Sequence, residues 1–409
     1  GITTTPLVKS ITQPGHSFSY TYDNVGNITR EVYNGKNTTY VYDSLGQLIR
    51  YNDERAGKSW VFTYDRGGNL TKEQRYAYTE GTLGTVEYYQ DFQYGNANWK
   101  DQMTRRVYGG YYNYDMTYDA IGNLTSYAGW TYTWAQGRRL VKQVQDSRTV
   151  EYTYDASGLR VRKKFNSTIN DYTWAGGKLV HLKAGSQDMH FFYDAEGMPA
   201  MVLYNQTPYR YVRNLQGDII AIVDTSGTTV VEYKYDPWGK KESVTGTLAA
   251  SVGRYNPFRY RGYIFDEETQ MYYLKDRYYY PELRRFISAD TCEFKGYESV
   301  FHNLYTYCIN TPTGFVDRNG RECVPNYYLS QYFIMQAYDY RSCIVDAMAT
   351  HGYNETKLNA MGDMEIYDHL VEEVANTMTY NVEKQHMAIP NNTDWMVLLQ
   401  KIVTHSSAY

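Results

Sequence analysis

Phe18-Ser19-Tyr20-Thr21-Tyr22-Asp23-Asn24-Val25-Gly26-Asn27-Ile28-Thr29-Arg30 is the stretch that decides the fold. Its first five residues alternate in polarity, so alternate side chains face one side of a strand. Asp23-x-x-Gly26 reads as a turn, in which the Asp carboxylate caps backbone N–H groups and Gly takes a positive φ. Asn27-Ile28-Thr29-Arg30 then starts the return strand, so the unit is about one β-hairpin.

The same wording recurs down the chain. Tyr42-Asp43 with Gly46, Tyr64-Asp65 with Gly68, Tyr118-Asp119 with Gly122, Tyr154-Asp155 with Gly158, Tyr193-Asp194 with Gly197 and Tyr235-Asp236 with Gly239 are clear copies. Weaker ones are Tyr94-Gly95, Trp134 with Gly137, Trp174 with Gly177, Asn214 with Gly217 and Asp224 with Gly227. Tyr22 and Tyr42 are 20 residues apart, as are Trp134, Tyr154 and Trp174. A period of this size marks a repeat architecture. Lone hairpins are not stable, so they must join side by side in a long antiparallel sheet that curls. The N-x-T triplets at Asn27, Asn69 and Asn123 fall out of the repeat wording and carry no glycosylation meaning.

Composition supports a β wall. Of 409 residues 48 are Tyr, against 13 Phe and 7 Trp. Ordinary cores rest on Leu, Ile, Val and Phe. A partly wet sheet, with Tyr packing at one edge and hydrating at the other, fits better. Aromatic residues at 17% argue against disorder, and no apolar run is long enough to span a membrane. A net charge of −4 argues against nucleic-acid binding through the wall. The chain opens Gly1-Ile2-Thr3 with no signal peptide, which reads as a piece of a longer protein. Cys292, Cys308, Cys323 and Cys343 match no zinc spacing and are expected as buried thiols; a disulfide stays open, with no pairing assignable.

The Y-D-x-x-G-N-[LI]-T units resemble the YD repeats of Rhs (rearrangement hot spot) proteins, related to Tc toxin C components and teneurin YD shells. Asn256 to Gly320, containing NPFRYRGYIFDEETQMYYLKDRYYYPELRRFISAD and NLYTYCINTPTGFVDRNG, resembles the Rhs-associated core. The resemblance implies a mainly β fold: a spiralling antiparallel hairpin sheet forming a partial shell, with a small α-helical C-terminal segment. It divides the chain into a YD-repeat shell (1–255), a core that plugs the shell (256–321) and a variable helical segment (322–409). It implies a cage fragment of a polymorphic toxin that encapsulates and delivers its own C-terminal effector. The implied setting is bacterial, secreted or at the cell surface. Implied partners are the C-terminal segment itself, secretion-system or cell-surface proteins reached through further N-terminal sequence, and a cognate immunity protein if the segment is toxic.

The resemblance also implies self-cleavage. By position, Asp290 and Asp317 would form an aspartyl pair, with the cut near Arg321-Glu322. Two close carboxylates share one proton, so one activates water while the other donates. The sequence departs from the family wording at Tyr280, Arg284, Thr311, Arg318 and Arg321. No cofactor-binding or metal-ligating residues are expected.

After Gly320 the texture turns helical. Met364, Tyr367, Leu370, Val371 and Val374 share one helical face, and Ser330 and Asn392 are cap candidates. Residues 322–409 carry 11 acidic and 4 basic side chains, a poor composition for gripping phosphates. His369/Glu372 and Glu383/His386 have a spacing that could hold a metal, but they read as solvated helix faces. Nothing local marks Cys343 as a nucleophile. The competing reading of the whole chain is a cell-surface or wall-carbohydrate binder with an inert remnant at its C-terminus. Such binders also use aromatic hairpins of about 20 residues, but lack the Y-D-x-x-G and core motifs.

Overall fold

The computed structural model describes residues 7–291, 303–321 and 323–325. The expected helices of the C-terminal segment lie outside these residues, as do Cys292, Cys343 and both His/Glu pairs. Contacts divide the chain into two compact units. One holds Val8–Tyr22 and Ile28–Cys323. The other is described chiefly at the turn Asp23–Asn27.

The first unit contains an antiparallel sheet of 23 strands, from Ser10–Gln13 to Lys241–Thr245, that is not closed into a barrel. Each strand pairs with its neighbours in sequence, so the sheet is a continuous meander. Among the described residues the only α-helix is the short Val252–Tyr255.

The turn shows why the wording is Y-D-x-x-G-N. In the second copy the Asp43 N–H donates to the Gln47 carbonyl, and the Gly46 N–H donates to the Asp43 carbonyl. The Leu45 and Gln47 N–H groups both donate to Asp43 Oδ1, at 2.9 Å each. The Gln47 side chain then donates to Oδ2 at 2.8 Å. Asn69 and Asn123 do the same for Asp65 and Asp119, and both are buried. The second unit's turn repeats the pattern internally, with Asp23 Oδ1 accepting from Val25 and Asn27. The ladder slips by one residue at each such turn, for example between Val41 and Tyr42 and between Thr63 and Tyr64. These slips are β-bulges.

The Tyr of each YD pair serves the hairpin before it. Tyr42 donates its hydroxyl to the Ile28 carbonyl at 2.7 Å, Tyr64 to Leu48 at 2.8 Å, and Tyr154 to Leu140 at 2.6 Å. Tyr118, Tyr193 and Tyr235 make the same bond to Met103, Leu179 and Ile219. In the weaker copies Trp134 and Trp174 supply an indole N–H instead, to Leu124 and Arg160. These Tyr hydroxyls are thus bonded to backbone carbonyls, not left to water as the composition had suggested. The aromatic residue two positions earlier, such as Tyr20, Tyr40, Phe62, Tyr152 or Phe191, is buried, as is the first apolar residue after the turn, such as Ile28, Leu48 or Leu140.

The meander returns upon itself. Gln13 donates to the Arg213 carbonyl, His16 bonds Thr229, the Leu215 N–H donates to the Tyr20 hydroxyl, and Lys234 pairs with Asp53 at 3.2 Å. Glu31 is buried beside this seam, and burial pushes its carboxyl up to about 7.

The residues after Tyr255 form a four-stranded sheet (Ile264–Asp266, Met271–Tyr273, Tyr278–Tyr280, Arg285–Phe286) that packs on the hairpin turns. Arg160 occupies the place that Ile28, Leu48 and Leu140 hold in other repeats. It is fully buried and pairs with Asp266 through both guanidinium nitrogens, at 2.5 and 3.0 Å, with Lys163 also on Asp266 at 3.0 Å. Arg284 bonds Glu73 and Asp236, and Arg261 bonds Asp218 at 2.9 Å. Asn303 and Arg285 reach Asn69, and Asn310 reaches Gln47 at 2.9 Å. Tyr305 donates to the Gly122 carbonyl at 2.8 Å, and a Cβ on Gly122 would fall 2.5 Å from that hydroxyl. Two departures from the family wording now have partners: Arg284 as above, and Thr311, which donates to the Gly46 carbonyl at 2.6 Å. Tyr280 meets Tyr127 edge-on.

Three outcomes are expected from denaturant unfolding. Tyr64→Phe orphans the Leu48 carbonyl and costs about 1–3 kcal/mol, whereas Tyr111→Phe, at an exposed tip, changes stability by less than about 0.5 kcal/mol. Asp266→Ala strands Arg160 and Lys163 in the interior and costs about 3–5 kcal/mol. Glu31 has a raised folded pKa, so its contribution is favourable below its ordinary value near 4.5 and is lost as pH climbs towards about 7. Glu31→Gln therefore gains stability over the wild type across that window, by up to about 3 kcal/mol above it, and the two converge at acid pH.

Candidate self-cleavage site

Asp290 follows the last strand of the four-stranded sheet, and Asp317 ends the strand Phe315–Asp317. Both are buried. The structure brings them together on one side chain, Arg277, which precedes the strand Tyr278–Tyr280. Arg277 Nη2 lies 2.7 Å from Asp290 Oδ2 and 3.3 Å from Asp317 Oδ2. The guanidinium is stacked on Phe286, 3.6 Å from the ring centroid, which fixes its plane. Its Nη1 donates to the Leu304 carbonyl at 3.2 Å, and its Nε donates to the Gly320 carbonyl.

Asp317 is also the cap of its own turn. Its Oδ1 accepts from Gly320 N–H at 2.7 Å and Asn319 N–H at 3.3 Å, and its own N–H donates to the Tyr263 hydroxyl at 2.9 Å. Burial raises its carboxyl to about 6, against the pull of Arg277 and the two turn N–H groups, with the Asp290 charge adding to the rise. Gly320 is required by space. Its φ is +78°, and a Cβ there would stand 2.8 Å from Arg277 N and 2.9 Å from Leu274 O. The turn is thereby pressed against the arginine.

Chemically the cluster holds two carboxyls on one nitrogen, one of them protonated near pH 6, beside a carbonyl polarised by an N–H donor. That set can move a proton on and off a water or a leaving amide, while the carbonyl held by Arg277 belongs to the Gly320–Arg321 bond, one before the bond expected to be cut. Of the bond expected to be cut, Arg321 is described and pairs with Asp276, while Glu322 lies outside the described residues. Arg318 is exposed, with its Nη1 3.3 Å from the Met198 sulfur. Sequence reasoning missed Arg277. Lys275-Asp276-Arg277 reads in the sequence only as a charged turn between two Tyr-rich stretches, and the structure shows those stretches to be paired strands. Cys308 and Cys323 are buried free thiols.

The family model described as the teneurin YD-shell matches residues 8–313. The tRNA nuclease WapA of Bacillus subtilis is 36% identical over 212 residues, covering 50% of this chain and 9% of the relative. The double-stranded DNA deaminase toxin A of Burkholderia cenocepacia is 26% identical over 186 residues, covering 45% of this chain and 11% of the relative. The chain thus spans about a tenth of the length of these two relatives. Among solved structures, the TcdB2–TccC3 crystal structure superposes with a TM-score of 0.58 at 19% identity, over 76% of this chain and 18% of that one. That likeness is one of fold. With the repeat turns, the tyrosine-to-carbonyl bonds and the docked core on the same residues, the chain belongs to the teneurin YD-shell family.

Proposed function

We propose that this chain is the shell portion of a polymorphic toxin, in which residues 1–255 form the wall, 256–321 the core, and 322–409 the cargo. The cargo is enclosed, severed from the core near Arg321-Glu322, and delivered. The observation that carries this reading is the buried Asp290–Arg277–Asp317 cluster, placed at the end of a core anchored by buried ion pairs to the hairpin turns. Relatives named as a nuclease and a deaminase toxin support a toxin setting. In this reading Asp317 is the protonated member of the pair and Asp290 the base. The partners are the cargo itself, an immunity protein that neutralises it, and a secretion-system or cell-surface assembly reached through further N-terminal sequence. The site of action is outside the producing bacterium.

The tyrosines speak against a carbohydrate binder. Such a module presents aromatic faces to its ligand, whereas the YD tyrosines donate to backbone carbonyls and their neighbours two residues earlier are buried. Among the described residues no helix is long and apolar enough to cross a membrane.

Intact-mass measurement tests the cleavage. The expected result is two fragments parting near residue 321, with a single uncleaved species for both Asp290→Asn and Asp317→Asn. Because the acid form of Asp317 is needed, the rate should fall as pH rises through about 6. A single full-length mass at every pH, with intact fold, would sink the protease. Rapid proteolysis of residues 322–409 in the uncleaved protein would sink enclosure.

A further inference from the structure

The strands Lys178–Ala184 and Gln187–Tyr193 form one hairpin of the wall. His181 stands directly opposite His190, and Lys183 opposite Asp188. On a β ladder these four side chains share one face, the reverse of the one carrying the buried Leu182 and Met189. The two imidazoles are close, with ring centroids 4.5 Å apart and planes tilted by 37°. The Asp188 carboxylate reaches both rings. Its Oδ1 is 2.9 Å from His181 Nε2, and its Oδ2 is 3.6 Å from His190 Nδ1. One ligand atom from each of the three residues can be chosen so that all lie within 4.8 Å of one another.

None of these groups is explained by the fold. The core of this hairpin is on the other face, the YD turn bonds use different residues, and the self-cleavage cluster is elsewhere in the chain. Asp188 is well placed as a ligand. Its backbone N–H is held by the Asn205 side chain at 2.8 Å, and its Oδ1 lies 2.9 Å from His181 Nε2. Two imidazole nitrogens and one carboxylate oxygen are a donor set for a borderline divalent ion, softer than calcium or magnesium prefer and harder than copper(I) prefers.

We propose that His181, Asp188 and His190 form a site for a zinc-class divalent cation on the face of this hairpin, with the remaining coordination position open to solvent. The ion sits between His181 Nε2 and the Asp188 carboxylate and bridges the two strands on both sides of their turn. Lys183 Nζ, 3.7 Å from Asp188 Oδ1, is the built-in competitor and must swing away for the ion to enter. The sequence conceals the site because its ligands come from two strands, in the order His181, Asp188, His190, and match no helical or finger spacing.

Calorimetric titration of zinc chloride into the purified full chain tests this. The wild type should bind one more equivalent than His181→Ala/His190→Ala, whatever other residues contribute. Lys183→Met should tighten that equivalent severalfold. His190→Gln removes a half-exposed ligand from the outward face, so it leaves folding intact and should still lose the equivalent. Equal stoichiometry in wild type and His190→Gln, or an affinity indifferent to Lys183, would overturn the assignment.

Discussion

The bond from each YD tyrosine to the carbonyl of the preceding hairpin is what the sheet depends on. A D-x-x-G turn inserts a bulge, and a bulge takes a backbone group out of the ladder. An unmet buried carbonyl costs about 1–3 kcal/mol. The hydroxyl of Tyr42 on Ile28, or of Tyr64 on Leu48, meets that demand from the next strand along. Every hairpin is therefore completed by its successor. That is why the repeat needs Tyr and not Phe, and why Trp, with its own N–H, is the substitute at 134 and 174.

The core is joined by a second kind of constraint. Arg160, Glu73, Asp218 and Asp236 are buried in the wall, and each finds its opposite charge on residues 261–284. Apolar packing alone would tolerate sliding of one curved surface on another. Buried charges do not, because a shift of one residue leaves ions unpaired in a medium that cannot solvate them. The side-chain amides of Asn303 and Asn310, on Asn69 and Gln47, add direction to the same docking.

The hairpin turns were legible in the sequence because their chemistry is local. Asp43, Gly46 and Gln47 meet within one turn, and Gly46 supplies the φ that the turn demands. The pairing of Asp290 with Asp317 was suggested by resemblance, and proximity of the two followed in the structure. Arg277 was not legible. Its two carboxylates are 13 and 40 positions away, and nothing in Lys-Asp-Arg-Tyr signals a shared guanidinium. Arg160 was legible as an exception, since it stands where the pattern calls for an apolar residue, but its partner Asp266 was not. A charge in a slot reserved for Leu is itself a sign that a distant partner exists.

The order of residues along the chain has a consequence for synthesis. Neighbour-only pairing lets hairpins assemble as they emerge, since each contact is short in sequence. The counter-charges for Arg160 and Glu73 arrive more than a hundred residues later. Until then Arg160 and Glu73 lack the partners that make their burial tolerable. The buried charges of the sheet are therefore all matched only once residues 261–284 have been made, ahead of whatever follows position 321.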